Sequence, residues 1–184
     1  MNITNTPLPG LVIIDPFVFE DKRGYFFETY QKQMYFEKGI DVDFIQDNES
    51  RSERSVIRGL HYQINPYAQA KLVRVVVGQV LDVALDLRKG SPTFGKSFAI
   101  ILDEKSKKQL FIPRGFAHGF SVLSETAVFS YKCDNFYNKE FERCINLNDP
   151  LLKIDWKIEL NDQKVSQKDL SAPFFADAEM NFIF

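Results

Sequence analysis

The sequence predicts an all-β fold, a sandwich or small barrel of the jelly-roll kind. Three observations predict it. Short apolar segments recur with turn residues between them, as in sandwiches and barrels. Residues 80–87 alternate with period two: Leu81, Val83, Leu85 and Leu87 against Val80, Asp82, Ala84 and Asp86. Phenylalanine contributes 18 of 184 residues, and aromatic side chains suit pleated, half-buried surfaces.

In chain order, "LVIIDPFVF" (11–19) reads as a strand interrupted by Asp15 and Pro16. "FFETYQKQMYFEKGI" (26–40) is the best helix candidate, with Phe27, Tyr30, Met34 and Phe36 roughly on one side and Gly39 as a stop. Strand signals begin near Asp43. "KLVRVVV" and "VLDVALDLR" read as two strands around a turn at Gly78. "KSFAIILD", "KQLFIP" and "GFSVLSETAVFSYKC" follow, separated by polar breaks. The tail after Asp149 is irregular, with a short helix expected near "SQKDL". No repeat or long linker divides the chain, so one domain over 1–184 is expected.

Composition narrows the function. Apolar residues make up 45% and charged residues 26%, a soluble-globular balance. A net charge of −2 argues against a nucleic-acid-binding face but leaves room for a local anion site. No apolar run is long enough to span a bilayer, and "LVIIDPFVF" is too short and broken for a signal peptide. Cys133 and Cys144 lack CxxC spacing. Together these features favour a reducing cytoplasm.

Several motifs fail on physical grounds. "GSPTFGKS" (90–97) satisfies the letters of a phosphate loop, but that loop must open a helix at its Lys, and "FAIILD" follows instead. A jelly roll often carries a His-rich metal site, and two imidazoles with a carboxylate could bind iron. His61 and His118 are the only histidines and are not clustered in the sequence. There is no G-x-S-x-G, and neither Cys has a His nearby in sequence.

What remains is an acid/base set. "IRGLHYQ" (57–63) places Arg58 and His61 in an apolar strand. Most lone histidines are hydrogen-bonded framework residues, but an imidazole with an ordinary pKa near 6.5 suits proton transfer. Alternation puts Gly59, His61 and Gln63 on one face and Arg58 on the other, unless a bulge at Gly59 re-aims Arg58. An Arg there needs an anionic partner, internal or a bound phosphate. Lys71 reads as a solvated strand end or as a cation for a developing oxyanion. Tyr131 reads as core packing or as a general acid. Asp169 matches a capping box from Ser166, or orients a histidine.

The order of these stretches closely resembles the dTDP-4-dehydrorhamnose 3,5-epimerase family. "DKRGYFFE", "FIQDNESRS", "IRGLHYQINPYAQAKLVRVVVGQVLDVALDLRKGSPTFGK", "IPRGFAHGF", "YKCDNFY", "DPLLKIDW" and "LSAP" carry the resemblance over nearly the whole chain. It implies a cupin-like jelly roll, a homodimer and catalysis without a metal or other cofactor. The implied reaction is epimerisation at C3 and C5 of dTDP-4-dehydro-6-deoxy-D-glucose. In that reading His61 is the base with Asp169, Tyr131 the proton donor, and Lys71 the enolate support. Substrate contacts would fall to Arg23, Glu28, Gln46, Asn48, Arg58, His118, Glu142 and Lys168, with Tyr137 stacking on thymine. The chain departs from the family's "E-x-G-I-x-W" at Cys144 and Leu147 and differs somewhat around Asn138. An epimerase acting on one carbon of another deoxysugar, or a nucleotide-sugar-binding protein without turnover, are the alternatives.

Overall fold

The computed structural model describes residues 1–184. The early strands are β1 (Asn2–Asn5), β2 (Val12–Asp15), β3 (Phe19–Asp21) and β4 (Gly24–Phe26), followed by helix α1 (Lys32–Glu37). The central strands are β5 (Gln46–Glu53), β6 (Val56–Gln63), β7 (Lys71–Val77), β8 (Gln79–Asp86), β9 (Ser97–Asp103) and β10 (Gln109–Ile112). Then come β11 (Phe116–Val122), β12 (Thr126–Cys133), β13 (Glu142–Cys144), β14 (Lys164–Val165) and helix α2 (Gln167–Leu170).

These form the expected all-β jelly roll of two facing sheets. The first runs β1-β2-β10-β7-β12-β5 and the second β13-β6-β11-β8-β9, with β14 pairing β6 in parallel. β3 and β4 form a separate hairpin. Between the sheets lies an apolar cluster that includes Val73, Val75, Leu110, Phe116, Phe120 and Phe129. The outer face of the second sheet is covered by the tail: Leu60, Leu81, Val83 and Leu85 pack with Ile145, Leu147, Trp156 and Phe182. The centre of the second sheet is therefore buried on both faces, with β11 buried along its whole length, while β9 at the edge alternates with exposed residues. A third cluster joins Ile14, Leu72 and Phe111 to Tyr35 of α1.

One expectation needs correction. The helix expected over 26–40 is confined to α1. The hairpin takes residues up to Phe26, and the Gln31 side chain caps the helix by accepting the Met34 amide. Tyr35 is the buried helix residue, its hydroxyl donating to Gln109 Oε1 at 2.7 Å, while Phe36 is exposed. As expected, β7 and β8 meet at a turn on Gly78; they do not pair, because they belong to opposite sheets. Gly78 has φ +80°, and a Cβ there would lie 2.1 Å from the Thr126 carbonyl oxygen, so this sharp corner requires glycine. The 90–96 segment is a turn into β9, with Ser91 and Thr93 hydroxyls donating to Asp86 Oδ2 at 2.6 and 2.7 Å. No helix follows Lys96, which rules out a phosphate loop.

The bulge condition at Gly59 is met, and it overturns the simple alternation. His61 pairs His118 and Arg58 pairs Phe120, with a register shift between them. Two residues of β6 thus oppose Gly119 alone. Directly paired residues share a face, so Arg58 and His61 both take the side of Phe120 and His118, where Arg58 stays exposed and His61 half-buried. Leu60 turns outward into the tail-covered cluster. Gly59 has φ +132°, and a Cβ there would stand 2.5 Å from Gly119 Cα. Gly59→Ala should therefore destabilise the fold by about 3 kcal/mol or more. Urea denaturation checks this as a clearly lower midpoint.

Candidate active site

A cleft of about 270 Å³ opens at one end of the jelly roll. Gln46 and Asn48 reach it from β5, His61 and Gln63 from β6, Lys71 from β7 and Tyr131 from β12. Gln69, Tyr137 and Glu142 complete its rim. His61 and Tyr131 thus approach from opposite sheets.

Behind His61 stands Asp169. His61 Nε2 lies 2.7 Å from Asp169 Oδ1, and the carboxylate is buried while the imidazole keeps about a third of its surface. Burial alone would raise the Asp169 pKa, but the His61 hydrogen bond and charge, Ser166 and the Gly59 amide bring it below its ordinary value. The ionised carboxylate accepts, so Nε2 carries the imidazole proton and Nδ1 keeps a lone pair. Asp169 also fulfils its capping role: its amide donates to Ser166 Oγ at 3.1 Å. One residue therefore serves both readings that its sequence context allowed.

Burial raises the Tyr131 pKa, with Cys133 and Glu142 adding to the rise and Arg58 opposing it. The phenol is accordingly a proton carrier at neutral pH. Lys71 Nζ lies 5.9 Å from the Tyr131 ring centroid. Desolvation lowers the Lys71 pKa against the pull of Cys133, Asp82 and Glu142. At the rim, Glu142 Oε2 accepts from Tyr137 at 3.0 Å and from Lys168 Nζ at 2.5 Å. Desolvation works against the charge of Glu142, but Lys168 and Tyr137 hold its pKa down. Gln46 accepts the Tyr137 amide and donates to Asn48, fixing the ring's base.

Arg58 and His118 adjoin this cleft without lining it. Arg58 Nε donates to Ser52 Oγ at 3.1 Å. His118 is buried opposite His61, with Nε2 2.9 Å from Asp82 Oδ2. Arg23 and Glu28 are not brought to the cleft. Arg23 is exposed on the β3–β4 hairpin and pairs only with Asp21. Glu28 borders an apolar pocket formed with Met1, Pro16, Phe17, Phe19, Phe26 and Met34.

Sequence reasoning assigned no role to Asp82, Gln69 or Gln63. Asp82 is fully buried beside His118, and its Oδ1 has no partner. Its signal was present: a carboxylate on the inner face of an alternating strand. Gln63 orders the rim by donating to the Tyr67 and Phe136 carbonyls and accepting the Asn138 amide.

The family model for dTDP-4-dehydrorhamnose 3,5-epimerase matches residues 5–177. The chain belongs to the dTDP-4-dehydrorhamnose 3,5-epimerase family. Members of this family are isomerases. A Pseudomonas aeruginosa dTDP-4-dehydrorhamnose 3,5-epimerase is 51% identical over 97% of this chain and 98% of its own. The crystal structure of the Elizabethkingia anophelis enzyme is 54% identical, with TM-score 0.91 over 96% of this chain and 97% of that one. A Legionella pneumophila 3,5-epimerase in complex with dTDP-4-keto-L-rhamnose is 47% identical, with TM-score 0.92 over 96% and 93%.

The His61–Asp169 pair of this family member has a definite stability signature. The folded pKa of Asp169 is depressed, so its contribution is present above the unfolded value and is lost as pH falls through the folded one. Urea unfolding should show the stability gap between the wild type and Asp169→Asn narrowing as pH falls below about 4.

Proposed function

We propose that the chain inverts C3 and C5 of dTDP-4-dehydro-6-deoxy-D-glucose, giving dTDP-4-dehydro-L-rhamnose for dTDP-L-rhamnose biosynthesis. The observation that carries the reading is the meeting of an imidazole–carboxylate pair, a protonated phenol and a half-buried lysine in one cleft. The first and second arrive from opposite sheets.

The C4 ketone acidifies the hydrogens on C3 and C5, because loss of either gives an enolate delocalised onto oxygen. His61 takes the proton at Nδ1, and Asp169 stabilises the imidazolium that results. Lys71 stabilises the enolate oxygen, where charge grows toward the transition state. Tyr131 delivers a proton to the opposite ring face, and the centre inverts. Both groups then exchange protons with solvent. No oxidation state changes, so the chain's own acid and base groups account for the reaction without a cofactor. Tyr137 offers a stacking face to thymine, with Gln46, Asn48, Glu142 and Lys168 around it. Arg58 and His118 serve the sugar and phosphate side from within. Binding without turnover would not need acid and base together. Relatives about 50% identical named for both carbons favour double inversion over one.

Proton NMR in deuterium oxide tests the assignment. His61→Asn should abolish deuterium entry at both carbons while the far-ultraviolet circular dichroism stays unchanged. Tyr131→Phe should retain exchange from the His61 side but lose inverted product by about 100-fold. Exchange in His61→Asn equal to the wild type would remove His61 as the base.

We further place this enzyme in a reducing cytoplasm as a homodimer, a reading supported by its two free cysteines and by the exposed aromatic hairpin. Arg23 and Glu28 then complete the cleft of a second copy. Inactive Arg23→Ala and His61→Asn chains, mixed through mild unfolding and refolding, should recover about a quarter of wild-type activity, since half the dimers are mixed with one intact site each. Mixtures as inactive as their parents would count against that exchange.

A further inference from the structure

Cys144 ends β13 directly opposite His61 of β6 in the strand register. The proton-transfer scheme does not use it. Its Sγ lies 3.6 Å from Asp169 Oδ1, the same oxygen that His61 Nε2 approaches to 2.7 Å. The nitrogen, sulfur and oxygen all fall within 4.8 Å of one another. We propose that these three side chains form an inhibitory site for a thiophilic divalent cation such as zinc.

The spacing matches the chemistry on its sulfur–oxygen edge, and movement of the imidazole adjusts the other two. Tetrahedral zinc takes nitrogen and oxygen at about 2.0–2.2 Å and sulfur at about 2.3 Å. Ligand oxygen and sulfur then stand about 3.6 Å apart, and oxygen and nitrogen about 3.3 Å. The Cys144–Asp169 separation already has that value. To admit the ion, the His61–Asp169 hydrogen bond must open by about 0.6 Å, and the His61 nitrogen and Cys144 sulfur, within 4.8 Å of each other, must settle at about 3.6 Å, which a swing of the solvent-facing imidazole supplies. His61 is the solvent-facing member and lines the cleft, while Cys144 and Asp169 are buried behind it. An ion would therefore enter past the imidazole, and cleft water would supply the fourth position. The set is mixed N, S and O, which suits zinc over magnesium or calcium.

The inhibition follows from proton bookkeeping. Zinc binds His61 at Nε2, so the imidazole proton moves to Nδ1. The Cys144 thiol loses its proton to solvent and binds as thiolate, while Asp169 binds as carboxylate. With Nδ1 protonated, His61 has no lone pair for the substrate's hydrogen. The metal thereby occupies the pair that activates the base, and the thiol selects the metal. This inhibitory consequence rests on the proposed role of His61 as base, whereas the binding itself does not.

The test uses the full-length enzyme stripped with a chelator, with zinc and cobalt(II) chlorides as the probes. Zinc should inhibit the wild type reversibly, with activity restored by chelator. Cys144→Ala and the near-isosteric Cys144→Ser should keep metal-free turnover and require about 100-fold more zinc, the top of the usual loss for an outer-shell partner. Cobalt(II) should give a thiolate charge-transfer band with the wild type and none with either variant. Equal zinc sensitivity in wild type and variants, or no such band in the wild type, overturns the site. Absence of epimerase turnover in the metal-free wild type would instead count against the functional reading, and the cobalt titration would still decide the binding.

Discussion

The short contact between His61 and Asp169 depends on an approach of two backbones that only glycine permits. Gly59 and Gly119 sit so close that neither strand tolerates a side chain there. That crowding forces two residues of β6 to face one of β11, which turns Arg58 and His61 to the same side. The carboxylate reaches His61 because the edge of β6 is completed by chain from the tail. β13 pairs one end, β14 pairs the other, and Leu60 exchanges both backbone hydrogen bonds with Ile145 between them. α2 follows β14 directly, and its Ser166 cap fixes the turn that aims Asp169. The irregular tail is thus the scaffold of the site. Its anchors, Ile145, Leu147, Trp156 and Phe182, are all buried on the outer face of the second sheet.

This arrangement assigns different work to the two faces of that sheet. In β8 the apolar set, Leu81, Val83 and Leu85, turns outward under the tail. The set containing Asp82 and Asp86 turns inward. A sandwich built only for stability would reverse this. Here each inward carboxylate has a specific occupation: Asp86 gathers Arg88, Ser91 and Thr93, and Asp82 holds His118. The apolar filling between the sheets continues in ring contacts, with Phe129 stacked on Phe120 at 4.3 Å and 6.1 Å from Tyr131. Tyr131 marks the passage from packed core to reactive cleft.

Much of this was legible in the sequence where one residue's environment is set by its neighbours. Period-two alternation gave β8 and its two faces, and the apolar runs gave β9 to β12. Ser166 and Asp169 announced a cap three residues apart. The limits lie where distant chain meets. Nothing local to "VVVGQVL" distinguishes a hairpin from a corner, because the choice depends on Thr126 lying over Gly78. The aromatic pattern at 26–40 looked helical, yet Tyr30 packs edge-on against both Tyr35 and Phe44, which requires extended chain before α1. The cleft residues were named through family resemblance, since no local rule brings His61, Tyr131 and Asp169 together. Asp82 and Cys144 gain their neighbours only from strand register. Arg23 and Glu28, also named that way, lie outside the cleft of their own chain.

Burial does opposite things to the groups that meet in the cleft, according to the charge each would carry. Tyr131 and Lys71 are both desolvated. For the phenol, desolvation favours the protonated, neutral form and preserves a donor. For the lysine it opposes the charge and lowers the pKa, against the pull of Cys133, Asp82 and Glu142. Asp169 is desolvated as well, but the hydrogen bonds around it outweigh that cost and keep it ionised. Desolvation thus acts differently on three groups because each has different partners. An enolate forming beside Lys71 would add to the negative charge of Asp82 and Glu142, so its stabilisation should be largest as the ring hydrogen leaves.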